Sequence, residues 1–368
     1  MKFKLNTFVN FFLFSFFFLT TDFITTSIFQ SKKKYGIKHD KFHHHLKENI
    51  SISDLFNGQK YTIKTNSLGF RDKEIRNINY KNISKRLVLV GDSYTFGVLL
   101  NYEDTFAGMI ENSLTNVTDG RGEGGHNDWE VLNFGVSSYS PIIYYYKIKY
   151  FLDKGLKLTH LAVFIDISDI QDEMTYYYDE NLQSVLSIQL PVHLNLAKFK
   201  EYIKNNFFVT HNFLAYLNNN IFHFQKFKSP EEYLEFILSN SDKRGKWTLN
   251  HEEYSAGINN SLKYMKLLKL LCDENNIKMH IVVYPWLIQL YHKDLESIQV
   301  KIWEKFSQEN KIEFINLFPL FIDKNDNNEI IYKKIKKYYI PFDGHFNKEG
   351  NKVVADYFLK IFNNYSNF

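Results

Sequence analysis

From Arg86 onward the chain repeats one pattern: a short, nearly continuous apolar run followed by a stretch with helical spacing. The runs are Leu87–Val90, Val131–Phe134, Leu161–Ile165, Met279–Tyr284 and Ile312–Leu317. Runs this short, without polar alternation, are expected of strands covered on both faces. Between the first two, Thr105, Phe106, Met109, Ile110 and Leu114 recur at helical spacing. Pro141 opens a second helix carrying Ile143, Tyr146, Ile148 and Phe151, with proline at a first-turn position. Near the carboxyl end, Val353, Val354, Tyr357, Phe358 and Ile361 form one apolar face behind Asn347, a suitable cap. Repeated strand–helix units predict an α/β domain with a parallel sheet and helices on both sides. The chain has 368 residues, 44% of them hydrophobic, enough for one large domain with an insertion or an appendage.

Two regions break the rhythm. Residues 31–85 form a polar, Lys- and Asn-rich lead-in expected to pack on the following domain. It contains Tyr61-Thr62-Ile63-Lys64, which alternates as an edge strand would, and the turn-like Thr65–Asp72. Between about 173 and 250 the pattern becomes aromatic and Asn-rich, with Phe207, Phe208, Phe213, Leu214, Tyr216 and Leu217 at helical spacing. That stretch reads as a helical insertion or lid beside the site.

Residues 1–30 have a different solvent in view. Lys2 and Lys4 precede the Phe-rich run Phe8–Leu19, and apolar character resumes after Asp22 with Phe23-Ile24 and Ile28-Phe29. The run alone matches a signal-peptide core, and the extended stretch approaches the roughly 20 residues of a membrane span. No small-x-small cleavage site follows, so we read an uncleaved anchor with the rest of the chain exported to the periplasm or cell surface. Lys32-Lys33-Lys34 on the far side count against that orientation. The alternative is a buried N-terminal helix.

The formal net charge is only +4 and lysine is spread along the whole chain, so no concentrated basic face marks a nucleic-acid partner. Cys272 is the single cysteine, which excludes an intramolecular disulfide and reads as a small core residue.

The chemistry gathers at two places. Gly91-Asp92-Ser93 follows the first strand directly, and ligands of open α/β sheets gather at the carboxyl ends of strands. Near the other end lies Asp343-Gly344-His345. A serine hydroxyl is a weak nucleophile until a base accepts its proton, and the base needs a carboxylate to hold its tautomer. Taken alone, Gly-Asp-Ser is an ordinary strand-to-helix turn in which Asp92 caps the helix. The acidic residues Asp166, Asp169, Asp172 and Glu173 read as solvated or capping charges. His39, His43, His44 and His45 lack the second ligand group of a zinc pattern. No metal and no cofactor are called for.

These blocks resemble the SGNH (GDSL-type) hydrolase superfamily. Gly91-Asp92-Ser93-Tyr94-Thr95-Phe96-Gly97 is similar to its GDSxTxG form, Asn133-Phe134-Gly135-Val136 to its second block, and Asp343 to Gly350 to its last. The resemblance covers roughly residues 86–365, minus the insertion. It implies a three-layer, flavodoxin-like parallel sheet, with Ser93 as nucleophile, His345 as general base and Asp343 as its orienting acid. It also implies an oxyanion hole from the backbone N–H groups of Ser93 and Gly135. The third block departs from the usual Gly-x-Asn-Asp, since Asp166-Ile167-Ser168-Asp169 places Ser168 where the family's Asn donates. The Asp/His pair is also one residue tighter than usual, a form resembling a branch of bacterial cell-surface polysaccharide-modifying proteins. Similar Asn-Ser-Leu-Gly-Phe-Arg strings precede the catalytic domain in SGNH-like proteins, which makes Asn66 and Arg71, with Asp169, candidates for substrate contact. The bland alternative for Arg71 is an ion pair. The activity expected is a serine esterase acting on an O-acyl, above all O-acetyl, ester of a surface glycan or a lipid. The rivals are an O-acyltransferase for exported polysaccharide, a glycan-binding or assembly protein without turnover, and a cytosolic lipase-like enzyme. Oligomeric state is left open.

Overall fold

The computed structural model describes residues 2–33, 35–56, 58–81, 85–115, 129–188, 251–341 and 343–366, with scattered positions between 202 and 248. It divides into two compact units: residues 1–35 with 189–233, and residues 36–188 with 234–368.

The larger unit is built on an eight-stranded sheet. Its parallel part uses β6 (Lys85–Val90), β7 (Trp129–Asn133), β8 (His160–Ile165), β11 (Lys278–Val283) and β12 (Glu313–Asn316), in the order β12-β11-β8-β6-β7. Counted from β6 as the first, this is the flavodoxin-like order 2-1-3-4-5, whose switch point lies between β6 and β8. All five apolar runs therefore became strands, with ends shifted by one or two residues. Leu87, Val88, Leu89 and Val90 are completely buried, as are Leu161 to Ile165. Burial on both faces explains why neither run alternates.

Helices lie in two groups. α3 (Phe106–Thr115) packs on β7 and on α11 (Lys348–Ser366), which also meets α10 (Asn328–Tyr338). α4 (Pro141–Asp153), α5 (Asp169–Glu173) and α8 (Ile298–Asn310) all pack against α6 (Ser255–Glu274). The predicted cap Asn347 is in place, its Oδ1 accepting from the Gly350 N–H (3.1 Å) at α11. Thr105, expected within the helical pattern, lies just before α3, where its Oγ1 accepts from the Gly108 N–H (3.1 Å). Cys272 is buried in α6.

The lead-in extends the sheet. β1 (Gly36–His39) and β2 (His43–Leu46) form a separate ribbon. β3 (Ser51–Phe56), β4 (Gln59–Thr65) and β5 (Arg71–Asp72) run antiparallel beside β7, with Arg71 opposite Asn133. The Tyr61–Lys64 stretch lies in β4, between β3 and β5, so it is an inner strand and β3 takes the edge. The region after residue 173 also differs from the helical reading at its start. It opens with a hairpin, β9 (Tyr176–Asp179) and β10 (Ser184–Ser187). Most of residues 189–250, including Tyr216 and Leu217, lie outside the described residues.

In the smaller unit, α1 (Lys2–Lys33) contains a 20-residue segment, Val9–Ile28, with mean hydropathy 1.6. By length and composition it can cross a membrane, and a signal sequence would meet the same description.

Glu173 closes the first turn of α4: its Oε2 accepts the Ile142 N–H (2.9 Å). Burial pushes its carboxyl up to about 7, against the pull of that N–H. A group whose folded value is raised stabilises fully below its unfolded value, and that contribution is lost as pH rises through the folded value. Thermal unfolding from pH 4.5 to 7.5 should therefore show a decline in wild-type stability that Glu173→Gln flattens. Parallel curves for the two proteins would contradict the assignment.

Candidate active site

Three loops meet at the carboxyl end of β6. Ser93 opens a one-turn helix, α2 (Ser93–Phe96), capped by Asp92, whose Oδ1 accepts the Tyr94 N–H (2.9 Å). Two glycines allow the close approach. A Cβ on Gly91 would lie 2.8 Å from the Phe164 carbonyl oxygen and 2.1 Å from Thr95 Oγ1. One on Gly135 would lie 2.5 Å from the Phe96 nitrogen.

The Asp343–His345 loop is held from below. Tyr94 donates its hydroxyl to the Gly344 carbonyl, and its ring lies 4.7 Å from that of His345. The Ile340 N–H donates to the His345 carbonyl (2.9 Å), beside a bridge between Tyr339 and Phe346. His345 Nε2 stands 2.8 Å from Ser93 Oγ across 252 residues of sequence, and Nδ1 bonds Asp343 Oδ1. With Nδ1–H given to the carboxylate, Nε2 is left as an acceptor facing the hydroxyl. Burial raises the Asp343 carboxyl, but the side-chain and backbone bonds from His345 outweigh it, so the carboxyl sits below its ordinary range. About a quarter of each side chain of the pair remains exposed, so the site opens to solvent.

Beneath Ser93 lies a carboxyl layer. Asp92, Asp166 and Asp169 are buried, which corrects the reading of the latter two as solvated charges. Asp92 Oδ2 is 3.0 Å from Ser93 Oγ and 3.4 Å from Ser168 Oγ. Asp166 accepts the N–H (2.6 Å) and hydroxyl (2.7 Å) of Ser168 on Oδ1, and Trp286 Nε1–H (2.8 Å) on Oδ2. Asp169 accepts the Asp166 N–H (2.7 Å) and the Tyr144 hydroxyl. Burial, then the charge of Asp166, pushes the Asp92 carboxyl well up from its ordinary range.

The donors expected around an oxyanion are arranged differently from the expectation. The Ser168 hydroxyl is directed to Asp166 because the loop turns it inward. The Gly135 N–H donates to Asn133 Oδ1 (2.9 Å). The Ser93 N–H begins α2 and has no partner among the described residues. Lys147, fully buried on α4, supports this loop by donating to the Phe134 carbonyl (2.8 Å) and the Tyr139 hydroxyl (3.2 Å). Burial pushes its amine well down.

The three substrate candidates are structural. Asn66 is buried, with Oδ1 accepting the N–H groups of Leu68 (3.0 Å) and Phe70 (3.2 Å) and Nδ2 donating to Asp72 (2.9 Å). Arg71 is 1% exposed and donates to the carbonyls of Phe96, Gly97 and Leu100, closing the end of α2. Asp169 is enclosed as described. None of the three reaches the surface at Ser93. Of the histidines, His44 bonds the Ser137 carbonyl (2.9 Å) and His45 the Leu68 carbonyl (2.7 Å). His43 bonds His44 (2.7 Å), and His39 stacks on Phe42.

Sequence reasoning assigned no role of their own to Tyr94, Asn133, Lys147 or Trp286. For Lys147 a signal existed: it falls four residues after Ile143 and four before Phe151, on the apolar stripe of α4.

No protein-family model matches the sequence, and no curated protein matches it. Solved structures similar to it include an acetylxylan esterase from Geobacillus stearothermophilus (11% identity, 77% of this chain and 95% of that one, TM-score 0.38). Others are an esterase from Pseudoalteromonas sp. (10%, 77% and 100%, 0.40) and a lipolytic protein of the G-D-S-L family from Veillonella parvula (11%, 76% and 99%, 0.36). The chain itself has the strand order and the block order expected from its resemblance to the SGNH hydrolases.

If the Ser168 hydroxyl serves Asp166, Ser168→Ala should change kcat for an activated ester by less than about 10-fold. Removal of a true oxyanion donor costs about 10²–10³-fold. A loss of that larger size, in folded protein, would return Ser168 to the hole.

Proposed function

We propose that this chain is a serine esterase of the SGNH kind that hydrolyses an O-acyl ester through an acyl-Ser93 intermediate. The observation that carries this reading is the unbroken hydrogen-bond chain from Ser93 Oγ through His345 to Asp343. Ser93 Oγ attacks the ester carbonyl while its proton passes to His345 Nε2, and Asp343 stabilises the imidazolium. The tetrahedral adduct collapses, its C–O bond breaks, and the alcohol leaves with the proton from Nε2. Water then adds to the acyl-enzyme by the same route, releasing the acid and restoring the hydroxyl. The Ser93 N–H and the Gly135 N–H, once turned from Asn133, stabilise the oxyanion. The substrate class is an O-acetylated surface glycan or a lipid ester. The apolar segment Val9–Ile28, long enough to cross a membrane, supports a substrate met at a membrane or cell surface.

A second reading has its own observation. The Gly135 and Ser168 donors are both engaged, which favours a glycan-binding or assembly protein that keeps the triad without turnover.

Hydrolysis of p-nitrophenyl acetate by the full-length protein in detergent separates the two. The esterase predicts turnover that falls to background in Ser93→Ala and by about 10⁴-fold in Asp343→Asn, through loss of the correct tautomer. Turnover unchanged in Ser93→Ala would remove the triad. Absence of turnover in folded wild type would favour the binding protein.

A further inference from the structure

On α1 the pattern of burial is inverted. Phe11, Phe14 and Phe17 are 65–70% exposed, whereas Asp22 and Thr26 are 3% and 2% exposed. These two polar residues lie four apart, on one face of the helix. In water an amphipathic helix turns its apolar face inward. Here the phenylalanines face outward while Asp22 and Thr26 are covered by protein, the arrangement lipid favours.

What covers Asp22 is a turn of helix from elsewhere in the same unit. The His211 N–H bonds the Phe207 carbonyl (2.8 Å), which starts a helical turn at Phe208. The first N–H groups of such a turn have no partner within the helix. Asp22 and Thr26 supply one for each: Phe208 N–H donates to Thr26 Oγ1 (2.8 Å), Val209 N–H to Asp22 Oδ1 (2.9 Å) and Thr210 N–H to Asp22 Oδ2 (2.7 Å). The hydroxyls of Thr210 (2.6 Å) and Thr26 (3.0 Å) complete the carboxylate's shell, and the rings of Phe23 and Phe207 lie 5.7 Å apart. The outer surface of the docked segment is apolar. Phe208, Val209, Phe213 and Leu214 are 48–56% exposed.

Asp22 stands six residues before the end of the apolar segment, about 9 Å along the helix axis, well inside a hydrocarbon core about 30 Å thick. A carboxylate at that depth is costly unless it is satisfied, and so are open backbone N–H groups. Each meets the need of the other, and a negative charge at a helix start is favourable. We propose that the described residues between 207 and 214 belong to a second membrane-embedded element, docked through its first turn on Asp22 with lipid acyl chains covering Phe208, Val209, Phe213 and Leu214. This rests on the reading of α1 as a membrane anchor.

The test places one added cysteine at Phe14, Phe208 or Phe213 in the full-length protein, labelled with NBD and reconstituted in phosphatidylcholine vesicles. Native Cys272 is fully buried, so the unmodified protein serves as the labelling blank. All three positions should be quenched severalfold more by doxyl-labelled lipid than by iodide in the buffer. Asp22→Leu should shift the Phe208→Cys and Phe213→Cys labels toward iodide and leave the Phe14→Cys label in lipid. Iodide quenching of the two distal labels, with Phe14→Cys still in lipid, would overturn the docked element alone. Loss of lipid quenching at Phe14→Cys as well would remove the anchor and the proposal with it.

Discussion

The strand β6 is enclosed on both faces and both edges, and everything at the site depends on that enclosure. Its four apolar residues have no access to water, and β7 and β8 occupy its two hydrogen-bonding edges. A strand so confined has one free end. There the chain order reverses, helices depart to opposite faces and a crevice opens. Gly91 and Gly135 let the backbones of β6, α2 and the β7 loop pack at distances no side chain would allow. Ser93 is thereby fixed on rigid elements, and His345 reaches it from a loop tied to Tyr94 and capped into α11.

Much of this was legible in the sequence, and the reasons are local. The five central strands show because burial on two faces leaves an unbroken apolar run. The helices show because Pro141 and Asn347 mark their starts. Ser93, Asp343 and His345 could be singled out together because a strand end and a helix cap are readable motifs. The antiparallel extension was harder. β5 is only two residues long, β3 alternates between exposed and half-buried positions, and polar alternation does not say which neighbour a strand will take. Arg71 shows the general limit most clearly. Its place in a conspicuous string suggested a ligand, yet its guanidinium closes three carbonyls at the end of α2. Composition cannot tell a cation aimed at substrate from one aimed at the backbone. The acidic run Asp166–Glu173 left solvated and capping roles open in the same way, because only the fold decides whether a carboxylate meets water or N–H donors.

The layer beneath Ser93 gives the site its character. Asp92 and Asp166 interact below the serine, and burial with the charge of Asp166 pushes the Asp92 carboxyl well up. The pair orients Ser168 away from the surface and places a second oxygen within reach of Ser93. Lys147, buried among aromatic rings, fixes the loop that carries Gly135. Both features make the loops around the triad rigid and polar inside while the triad itself stays open to solvent. That combination suits attack on an ester presented from outside.

The central claim is that Ser93 is a nucleophile activated by His345. The most direct measurement is fluorophosphonate labelling of the full-length protein followed by peptide mass spectrometry. The account predicts one adduct, on the peptide containing Ser93, formed far more slowly in His345→Ala and absent in Ser93→Ala. An adduct on another residue, or labelling of Ser93 at an unchanged rate without His345, would contradict it.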